Sequence, residues 1–368
     1  MTVGVAFGGP SPEHDISILT GLQAARLLAD GGSDVVGLYW RKTGDWLAVP
    51  ADAEARDFLD PEPARSRPVE LVVAGPERGF LERKRLGKVA SLGVDVVVNC
   101  CHGGPGENGT LPGVLDVAGV PCTGPGHAAA VLAMDKHATN GMARAAGVPV
   151  APHALLAAGL EVPFDGPYIV KPRFGGSSIG IETVSEVDAA LDLCATSPHL
   201  RDGAVIEPML EGWVDVNVAV RTAPTLQLSE IERPLRDADG VYSYESKYLQ
   251  GGSGIESAPR ELPAKLPDAV ASAIRDAATR MVTVFGLSGI ARIDFLWDQG
   301  DKVVFNEVNS IPGAMSLYLW KASGVDPRRV LLDAIDEARS APAFRRWTTA
   351  GADGRALRSA GSIAAKLN

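Results

Sequence analysis

The feature that most constrains the fold of this chain is a pair of apolar runs within residues 292–313. Both runs are rich in Val, Ile and Phe, and their apolar residues alternate with polar ones in period two. This alternation is typical of β-strands, and the polar residues 298–301 between the runs are typical of a tight turn. The stretch is therefore predicted to be a β-hairpin.

The predicted hairpin brings oxygen-bearing side chains together, because alternate residues of a strand point the same way. Arg292 shares its face with Asp294, and Glu307 shares its face with Asn309, whereas Asn306 is expected on the opposite face. Two carboxylates and an amide oxygen from adjacent strands suit Mg²⁺. Asp294, Glu307 and Asn309 are therefore predicted metal ligands, and the alternative is a solvent-exposed polar face of an ordinary sheet.

Length, charge and cysteine usage limit the class of protein. The 368 residues are 46% hydrophobic, which is enough for two or three packed domains, and the net charge of −10 disfavours nucleic-acid and membrane-surface partners. The four cysteines form no Cys-x-x-Cys pair, so neither a zinc site nor a disulfide framework is predicted. The chain begins without a leader pattern, and no apolar run approaches about 18 residues, so a cytoplasmic protein is expected.

Two glycine-rich loops follow predicted strands in the first third of the chain. The first carries Glu13, between a strand at residues 2–7 and a helix at residues 16–28, and the second carries His102 after a strand at residues 94–100. Such loops face the ligand crevice of α/β units, so both residues are candidate ligands. The alternatives are a helix-start acid and an ordinary loop histidine. The sequence lacks the Gly-x-Gly-x-x-Gly fingerprint of a dinucleotide-binding site, which argues against such a site here.

Three lysines and a Gly-Ser loop are candidate phosphate ligands. Lys136 lies in a predicted helix at residues 128–146, Lys171 at the end of a predicted strand, and Lys247 in a predicted exposed loop. The loop at residues 173–180 lacks the P-loop order, so it is either a phosphate-wrapping loop or a hairpin tip. With Mg²⁺ ligands, these groups meet the needs of a nucleoside triphosphate, and phosphoryl transfer is the predicted chemistry.

Seven blocks of sequence occur in the order found in one enzyme family. The blocks are Glu13-His14 after Gly-Gly-x-Ser, His102-Gly with Gly106-Glu107-Asn108-Gly109, Met134-Asp135-Lys136, Lys171-Pro with Gly176-Ser177-Ser178-x-Gly180, Lys247-Tyr248, Arg292-x-Asp294, and Asn306-Glu307-Val308-Asn309-Ser-x-Pro-Gly313. Over residues 3 to about 330 the chain thus resembles the D-alanine–D-alanine ligase family of ATP-grasp ligases.

This resemblance implies an α/β (α+β) chain with the ATP-grasp fold. The implied units are an N-terminal parallel α/β substrate domain, a central ATP-grasp domain, a C-terminal ATP-grasp domain with the metal site, and a flexible tail, at residues 1–126, 127–216, 217–340 and 341–368. ATP would lie between the central and C-terminal domains. The family usually forms homodimers, so a homodimer is expected.

The resemblance also implies roles for the matching residues. The catalytic residues would be Glu13, Ser177, Tyr248, Arg292 and Gly313. ATP would be bound by Lys136, Lys171, Gly176, Ser178, Glu207, Leu210, Asp215 and Lys247. The amino-acid substrates would be bound by His102, Ser316 and Tyr318, and two Mg²⁺ ions, with Mn²⁺ as an alternative, by Asp294, Glu307 and Asn309.

In the implied reaction, ATP phosphorylates the carboxylate of a first amino acid, and the amine of a second attacks the acyl phosphate. Arg292 and the Gly313 amide would stabilise the oxyanion of that step. Glu13, Ser177 and Tyr248 would form a hydrogen-bonded link that closes a loop over the site and excludes water.

The chain departs from the family pattern at two places. Where the family usually has a Ser that grips the carboxylate of the second substrate, two places beyond the position of Ser316, this chain has Tyr318. A phenol is much larger than a hydroxymethyl group, so the acceptor pocket should be smaller or reshaped. The family's ribose-binding acid also lies one place later here, at Asp215.

Three hypotheses therefore stand. The first is a D-alanine–D-alanine ligase that serves peptidoglycan synthesis. The second is a ligase that uses the same chemistry with another acceptor amino acid or amine, as in secondary metabolism. The third is a nucleotide-binding homologue without catalysis, against which the complete set of predicted catalytic residues argues. A dehydrogenase is less favoured than these three hypotheses, because the sequence lacks the dinucleotide-binding fingerprint.

Overall fold

Alternating apolar residues build three β-sheets in this chain, and apolar helices cover them. The computed structural model describes residues 1–60, 62–84, 89–235, 259–340, 351–360 and 362–363. All statements about the structure concern these residues. The predicted mixed α and β character is confirmed.

The first sheet has the strand order β6-β5-β4-β3-β2-β1-β7 in the described residues. Its strands are β1 Thr2–Gly8, β2 Asp34–Trp40, β3 Trp46–Pro50, β4 Arg67–Val72, β5 Gly79–Arg83, β6 Val89–Ser91 and β7 Val94–Asn99. Helices α1 His14–Asp30, α2 Gly104–Glu107 and α3 Thr110–Ala118 accompany it, with a 3₁₀ turn at Ala55–Leu59.

The prediction of a parallel first sheet is right for part of the sheet only. Strand β1 pairs in parallel with β2 and β7, but the pairings from β2 through β6 are antiparallel. A parallel connection needs a crossover of about a dozen residues or more, which α1 supplies between β1 and β2. The connections β2–β3, β4–β5 and β5–β6 are too short for a crossover, so these strands form hairpins.

The second sheet has the order β10-β9-β11-β8. Its strands are β8 Ala154–Leu155, β9 Tyr168–Pro172, β10 Glu182–Val184 and β11 Ala204–Pro208, and the helices around it are α4 His127–Met134, α5 Lys136–Ala145 and α6 Val187–Thr196, with a 3₁₀ turn at Pro198–Leu200. The single helix predicted at residues 128–146 is therefore two helices. Asp135 separates them because its backbone is extended and its side chain caps α5.

The third sheet has the order β14-β13-β12-β15-β16. Its strands are β12 Val214–Arg221, β13 Gln227–Pro234, β14 Arg260–Glu261, β15 Ile290–Trp297 and β16 Val303–Asn309. The helices that follow in the chain are α7 Asp268–Phe285, α8 Leu317–Ala322, α9 Pro327–Ser340 and α10 Arg355–Ser359, with a 3₁₀ turn at Gly313–Ser316. The predicted hairpin is confirmed as β15 and β16.

Helix α7 decides which face of the third sheet is left for ligands. Its buried residues, among them Ile274 and Met281, lie in one core with Val218 of β12 and Ile293 of β15. Successive strand residues point to opposite faces, so the residues that alternate with Val218 and Ile293 lie on the other face. That face carries Asn217, Asp294 and their polar neighbours.

Two packing relations join the three sheets. Ala133 of α4 and Ala143 of α5 lie in the core of the third sheet. Trp320 of α8 and Ile335 of α9 lie in one core with Phe7 of β1. The predicted domain limits stay predictions.

No helix in the described part of the chain is long and apolar enough to cross a membrane.

A buried ion pair ties α9 to the third sheet. Arg221 Nη1 at the end of β12 donates to Asp333 Oδ2 of α9 over 2.8 Å, with the two side chains 9% and 5% exposed. The Arg221 guanidinium also lies over the Trp320 ring, at 5.3 Å from its centroid.

We predict that Asp333→Asn lowers the free energy of unfolding by about 3–5 kcal/mol, because it leaves a buried guanidinium without its countercharge. Urea unfolding would measure the change. The control is Asp45→Asn, which removes an exposed ion pair with Arg41 and should cost less than about 1 kcal/mol. Equal losses in the two variants would contradict this role of Asp333.

Candidate active site

The predicted site residues surround one cavity of about 460 Å³ between the second and third sheets, with loops of the first sheet at one end. The cavity is lined by Glu13, His102, Lys136, Lys171, Gly176, Ser177, Ser178, Glu207, Leu210, Asp215, Arg292, Asp294, Glu307, Asn309, Gly313 and Tyr318. Ser316 is fully buried beside it and does not line it. Lys247 and Tyr248 lie outside the described residues.

The hairpin of β15 and β16 brings the predicted metal ligands together. Asp294 is paired in register with Glu307, and Arg292 with Asn309. Asn309 Nδ2 donates to Asp294 Oδ2 over 2.9 Å. Residues directly opposite each other on paired strands share a face, so these side chains form one polar group.

Asn306 belongs to the same group, and its predicted position on the opposite face is wrong. The register of the hairpin shifts between Asp294 and Phe295, so Asn306 is an extra residue on β16. Such a β-bulge redirects side chains next to it. Asn306 Oδ1 accepts a hydrogen bond from Lys171 Nζ over 3.1 Å and lines the cavity, as Glu307 does.

Arg292 and Asp294 form a two-pronged ion pair. Arg292 Nε donates to Asp294 Oδ1 and Arg292 Nη2 to Asp294 Oδ2, each over 2.7 Å. Burial alone would lower the pKa of Arg292, but the charge of Asp294 outweighs it and holds this pKa well above its ordinary value. The guanidinium is therefore a permanent positive charge in the cavity.

The donor set fits a magnesium ion that shares its ligands with a substrate. Asp294, Glu307 and Asn309 supply only oxygen donors and lie side by side. The described residues contain no group of three or more His, Cys, Asp or Glu side chains placed to hold a metal alone. Mg²⁺ is commonly held by one or two carboxylates together with phosphate oxygens and waters, so this set suits it.

Lys171 connects the second and third sheets across the cavity. It is the penultimate residue of β9, and its Nζ donates to Glu207 Oε2 of β11 over 2.7 Å as well as to Asn306 of β16. The Lys171 side chain is 8% exposed. A buried ammonium needs such compensation, and it lies where an anion entering the cavity would meet it.

Lys136 is placed by the cap of α5. Asp135 accepts hydrogen bonds from the backbone N–H groups of His137 and Ala138 and a two-pronged ion pair from Arg173. The next residue, Lys136, then points into the cavity, where its Nζ lies 3.6 Å from Glu307 Oε2.

The Gly-Ser loop contacts the loop after β1. Ser177 Oγ donates to Glu13 Oε1, and Ser177 and Ser178 both adopt positive φ angles of 53° and 59°. An L-residue rarely holds that conformation without support from its surroundings. The predicted link of Glu13 with Ser177 is thus present, whereas its third member, Tyr248, lies outside the described residues.

Glu107 ties the first-sheet loop to the end of the hairpin. Its Oε2 accepts from Gly103 N over 2.9 Å, and its Oε1 accepts from Ser310 Oγ and Ile311 N over 3.2 and 3.1 Å. Burial, then the nearby charge of Glu13, raises the pKa of Glu107 to about 7. Gly103 has φ 63°, and a Cβ there would lie 2.5 Å from Glu13, so glycine is required.

His102 lines the cavity, but both ring nitrogens are used by the protein. The Ile311 carbonyl can only accept, so His102 Nδ1 carries the proton donated to it over 2.7 Å. In the neutral ring Nε2 then accepts from Thr20 Oγ1 over 2.8 Å, and Thr20 Oγ1 in turn accepts from Ala314 N over 3.2 Å. This neutral tautomer holds the turn after β16, in which Ala314, Met315 and Ser316 all have φ 49°.

Tyr318 is also held by protein groups. Its hydroxyl donates to Glu232 Oε1 of β13 over 2.6 Å, and Glu232 Oε2 accepts from Arg260 Nη1 of β14 over 3.2 Å. Burial, and then the charge of Glu232, raises the pKa of Tyr318 well above its ordinary value. The phenol is therefore a neutral donor committed to Glu232.

Several polar residues that line the cavity had no site role predicted from the sequence, among them Glu107, Asn217, Glu232, Arg260 and Asn306. Asn217 and Asp215 alternate with Val on one strand, so their common face was available as a signal. Glu232 and Arg260 carry no such signal because their place depends on which strands become neighbours.

Comparison with protein families gives two matches that together cover most of the chain. Residues 2–125 match the family model described as D-ala D-ala ligase N-terminus, and residues 147–336 match that described as D-ala D-ala ligase C-terminus.

Individual proteins agree with these matches. The D-alanine–D-alanine ligase of Mycobacterium ulcerans is 32% identical over 92% of this chain and 96% of that protein. The crystal structure of VanG D-Ala:D-Ser ligase from Enterococcus faecalis has a TM-score of 0.73 and 25% identity, covering 92% of this chain and 99% of that chain. The D-alanine–D-alanine ligase from Helicobacter pylori has a TM-score of 0.72 and 25% identity, covering 93% and 99%.

The buried histidine predicts a pH dependence of stability. Burial lowers the pKa of His102 from its ordinary 6.5 to about 4. The folded protein thus binds this proton more weakly than the unfolded chain, so His102 contributes stability above about pH 6.5 that is lost as the pH falls toward 4.

We predict that the unfolding free energy of the native protein relative to His102→Gln falls by about 2 kcal/mol between about pH 7.5 and pH 5. Urea unfolding at both pH values would measure it. The control is exposed Thr225→Ser, which exchanges one uncharged side chain for another, so its difference from the native protein should be the same at both pH values. A difference for His102→Gln that does not change with pH would contradict the prediction.

Proposed function

The chain belongs to the D-alanine–D-alanine ligase family, whose members are ATP-dependent ligases, and from this premise we propose the substrates and the roles of its residues. We propose that the enzyme activates the carboxylate of D-alanine with ATP and joins it to the amine of a second amino acid. The observation that carries this proposal is that the residues expected for each step line one cavity.

The lysines and the Gly-Ser loop support the proposed ATP site. Lys136 and Lys171 line the cavity together with the Gly-Ser loop, and both lie beside carboxylates that a triphosphate would replace as partners. We propose that they bind the phosphates together with Gly176 and Ser178. Charge-assisted bonds of this kind are the strong ones in phosphate recognition.

The nucleoside would lie farther along the same cavity. We propose that Glu207 and the backbone at Leu210 bind adenine and that Asp215 binds ribose. All three residues line the cavity beyond Lys171. Lys247 completes the proposed ATP ligands, although it lies outside the described residues.

We propose that Asp294, Glu307 and Asn309 hold Mg²⁺, on the evidence of their shared face and oxygen-only donors. When bound, Mg²⁺ would neutralise the developing charge on the phosphates. The proposed site would hold two Mg²⁺ ions, or Mn²⁺ in their place.

The chemistry proceeds in two steps. A carboxylate oxygen of D-alanine bonds to the γ-phosphorus of ATP, and ADP leaves. The amine of the second substrate then attacks the acyl carbon; a C–N bond forms, the C–O bond to phosphate breaks, and the amine loses a proton. We propose that Arg292 and the Gly313 N–H stabilise the oxyanion of this step.

Glu13 and the Gly-Ser loop would protect the intermediate. We propose that Glu13 binds the ammonium group of the first substrate, while its bond with Ser177 holds the loop over the cavity. Water is then excluded from the acyl phosphate, which it would hydrolyse. His102 would help to place the first substrate indirectly, because it holds the turn after β16 through its bond to the Ile311 carbonyl.

A second candidate function is the same reaction with an acceptor other than D-alanine. Tyr318 favours it, because the family's serine hydroxyl at this place is replaced by a phenol that already donates to Glu232. Ser316 is buried, and its Oγ has no hydrogen-bond partner.

The predicted homodimer and cytoplasmic location, with a role in peptidoglycan synthesis, stay predictions. Light scattering of the purified protein decides the subunit number.

We predict that D-alanine, ATP and Mg²⁺ together release phosphate and give a dipeptide, and that EDTA stops both. A panel of acceptors that contains D-alanine, D-serine and amines without a carboxylate, analysed by mass spectrometry, measures which acceptor is used. Strict preference for D-alanine would remove the second candidate function, and absence of phosphate release with every acceptor would contradict the proposal itself.

We predict that Lys171→Met lowers kcat/KM for ATP by about 10- to 150-fold, the equivalent of one charge-assisted hydrogen bond. The KM for D-alanine should stay unchanged. Steady-state kinetics with coupled ADP detection would measure both, and exposed Lys302→Met is the matched control. Unaltered ATP kinetics in a folded Lys171→Met protein would contradict the assignment.

A further inference from the structure

A row of polar side chains runs across the third sheet from the proposed metal site to Tyr318. Asn217 of β12 is paired in register with Asp294 of β15 on one side and with Glu232 of β13 on the other. Residues so paired share a face, and all three line the cavity. The row leads from the place of phosphoryl transfer to the side of the cavity formed by β13, β14 and α8.

Tyr318 is poorly placed to bind a carboxylate at that end. Its hydroxyl donates to Glu232 Oε1, which also accepts from Asn217 Nδ2 over 3.2 Å. Glu232 is 2% exposed, so its charge is fixed in the wall. A carboxylate entering here would meet a fixed negative charge unless a cation stood between them.

Arg260 is that cation. Its Nη1 donates to Glu232 Oε2 over 3.2 Å, and its guanidinium carbon lies 4.3 Å from the centroid of the Tyr318 ring. The side chain is 13% exposed and lines the cavity. A guanidinium presents its donors in a planar fork that matches a carboxylate, and one already held by an ion pair and an aromatic ring needs little further ordering.

Asn217 supplies an acceptor next to it. Its Nδ2 donates to Glu232, while its Oδ1 has no hydrogen-bond partner, although the residue is only 6% exposed. A buried carbonyl oxygen without a partner costs free energy, which an N–H group of a ligand would recover.

We propose that Arg260 binds the carboxylate of the second substrate and that Asn217 Oδ1 accepts a hydrogen bond from its amine. This inference rests on the proposed ligase function and names the acceptor class as an α-amino acid rather than an amine without a carboxylate. An α-amino acid can reach both groups, because Arg260 Nη1 and Asn217 Nδ2 each lie 3.2 Å from an oxygen of the same Glu232 carboxylate and the two side chains are therefore close together. The amine then faces Arg292, where the acyl phosphate is attacked.

The test separates the two halves of the reaction. Hydroxylamine, an amine without a carboxylate, attacks the acyl phosphate to give a hydroxamate and phosphate, so hydroxamate formation from D-alanine reports the first half. D-Alanine and D-alaninamide as acceptors then report the second half, with products identified by mass.

For Arg260→Met we expect the KM for D-alanine as acceptor to rise about 10- to 150-fold, and the preference for D-alanine over D-alaninamide to disappear. Hydroxamate formation should change less than about threefold. Arg260→Lys should restore part of the preference, because it keeps the charge and loses the fork. It also serves as the test if Arg260→Met does not fold.

Asn217→Val should lower kcat/KM for D-alanine and for D-alaninamide as acceptors alike, since both present the same amine, and unchanged values with both acceptors would overturn the role of Asn217. The matched control is Arg233→Met on β13. Arg233 contacts Glu261, Gln299 and Trp297 and does not line the cavity, so the kinetics of this variant should be unchanged.

Equal effects of Arg260→Met on D-alanine and D-alaninamide, or no effect on either, would overturn the proposal. Absence of hydroxamate with the native enzyme would instead overturn the proposed ligase function.

Discussion

Compensation of buried charge is the constraint on which the cavity depends. An unpaired charge buried between two sheets would cost a large part of the free energy of unfolding of a domain. The buried cations of this cavity accordingly have partners. Lys171 is held by Glu207 and by Asn306, and Arg292 is held by Asp294. Because Lys171 and Asn306 come from different sheets, the same bonds that neutralise charge also fix how the two sheets face each other.

This pairing also orients the lysines of the cavity before any ligand enters. A triphosphate bound as we propose would offer Lys136 and Lys171 more negative charge than the carboxylates beside them. Little reorganisation would then be needed when charge develops in the proposed reaction. The neutral His102 contributes by geometry rather than by charge, since it fixes the turn that carries Gly313.

The two ends of the cavity differ in how they relate to the family. The end at β15, β16 and the Gly-Ser loop has the family's residues in mutual contact. At the other end Tyr318, Glu232 and Arg260 form a connected group in place of a serine hydroxyl. Tyr318 therefore has partners on two further strands, and these partners would hold it in the proposed acceptor pocket.

The sequence by itself determined the elements with strong local signals. Period-two alternation identified β15 and β16 and put Asp294, Glu307 and Asn309 on one face, and the ordered motifs identified the family. These features depend on neighbours within a few residues, which the sequence shows directly.

Only the tertiary structure decided the rest, because it depends on contacts between distant segments. The bulge that turns Asn306 into the cavity arises from the register between two strands. The row of Glu232, Asn217 and Asp294 exists because β13, β12 and β15 become neighbours, although 77 residues separate Asn217 from Asp294. Local patterns tell which face a side chain takes, whereas the choice of strand neighbours is made by the packing free energy of the whole chain.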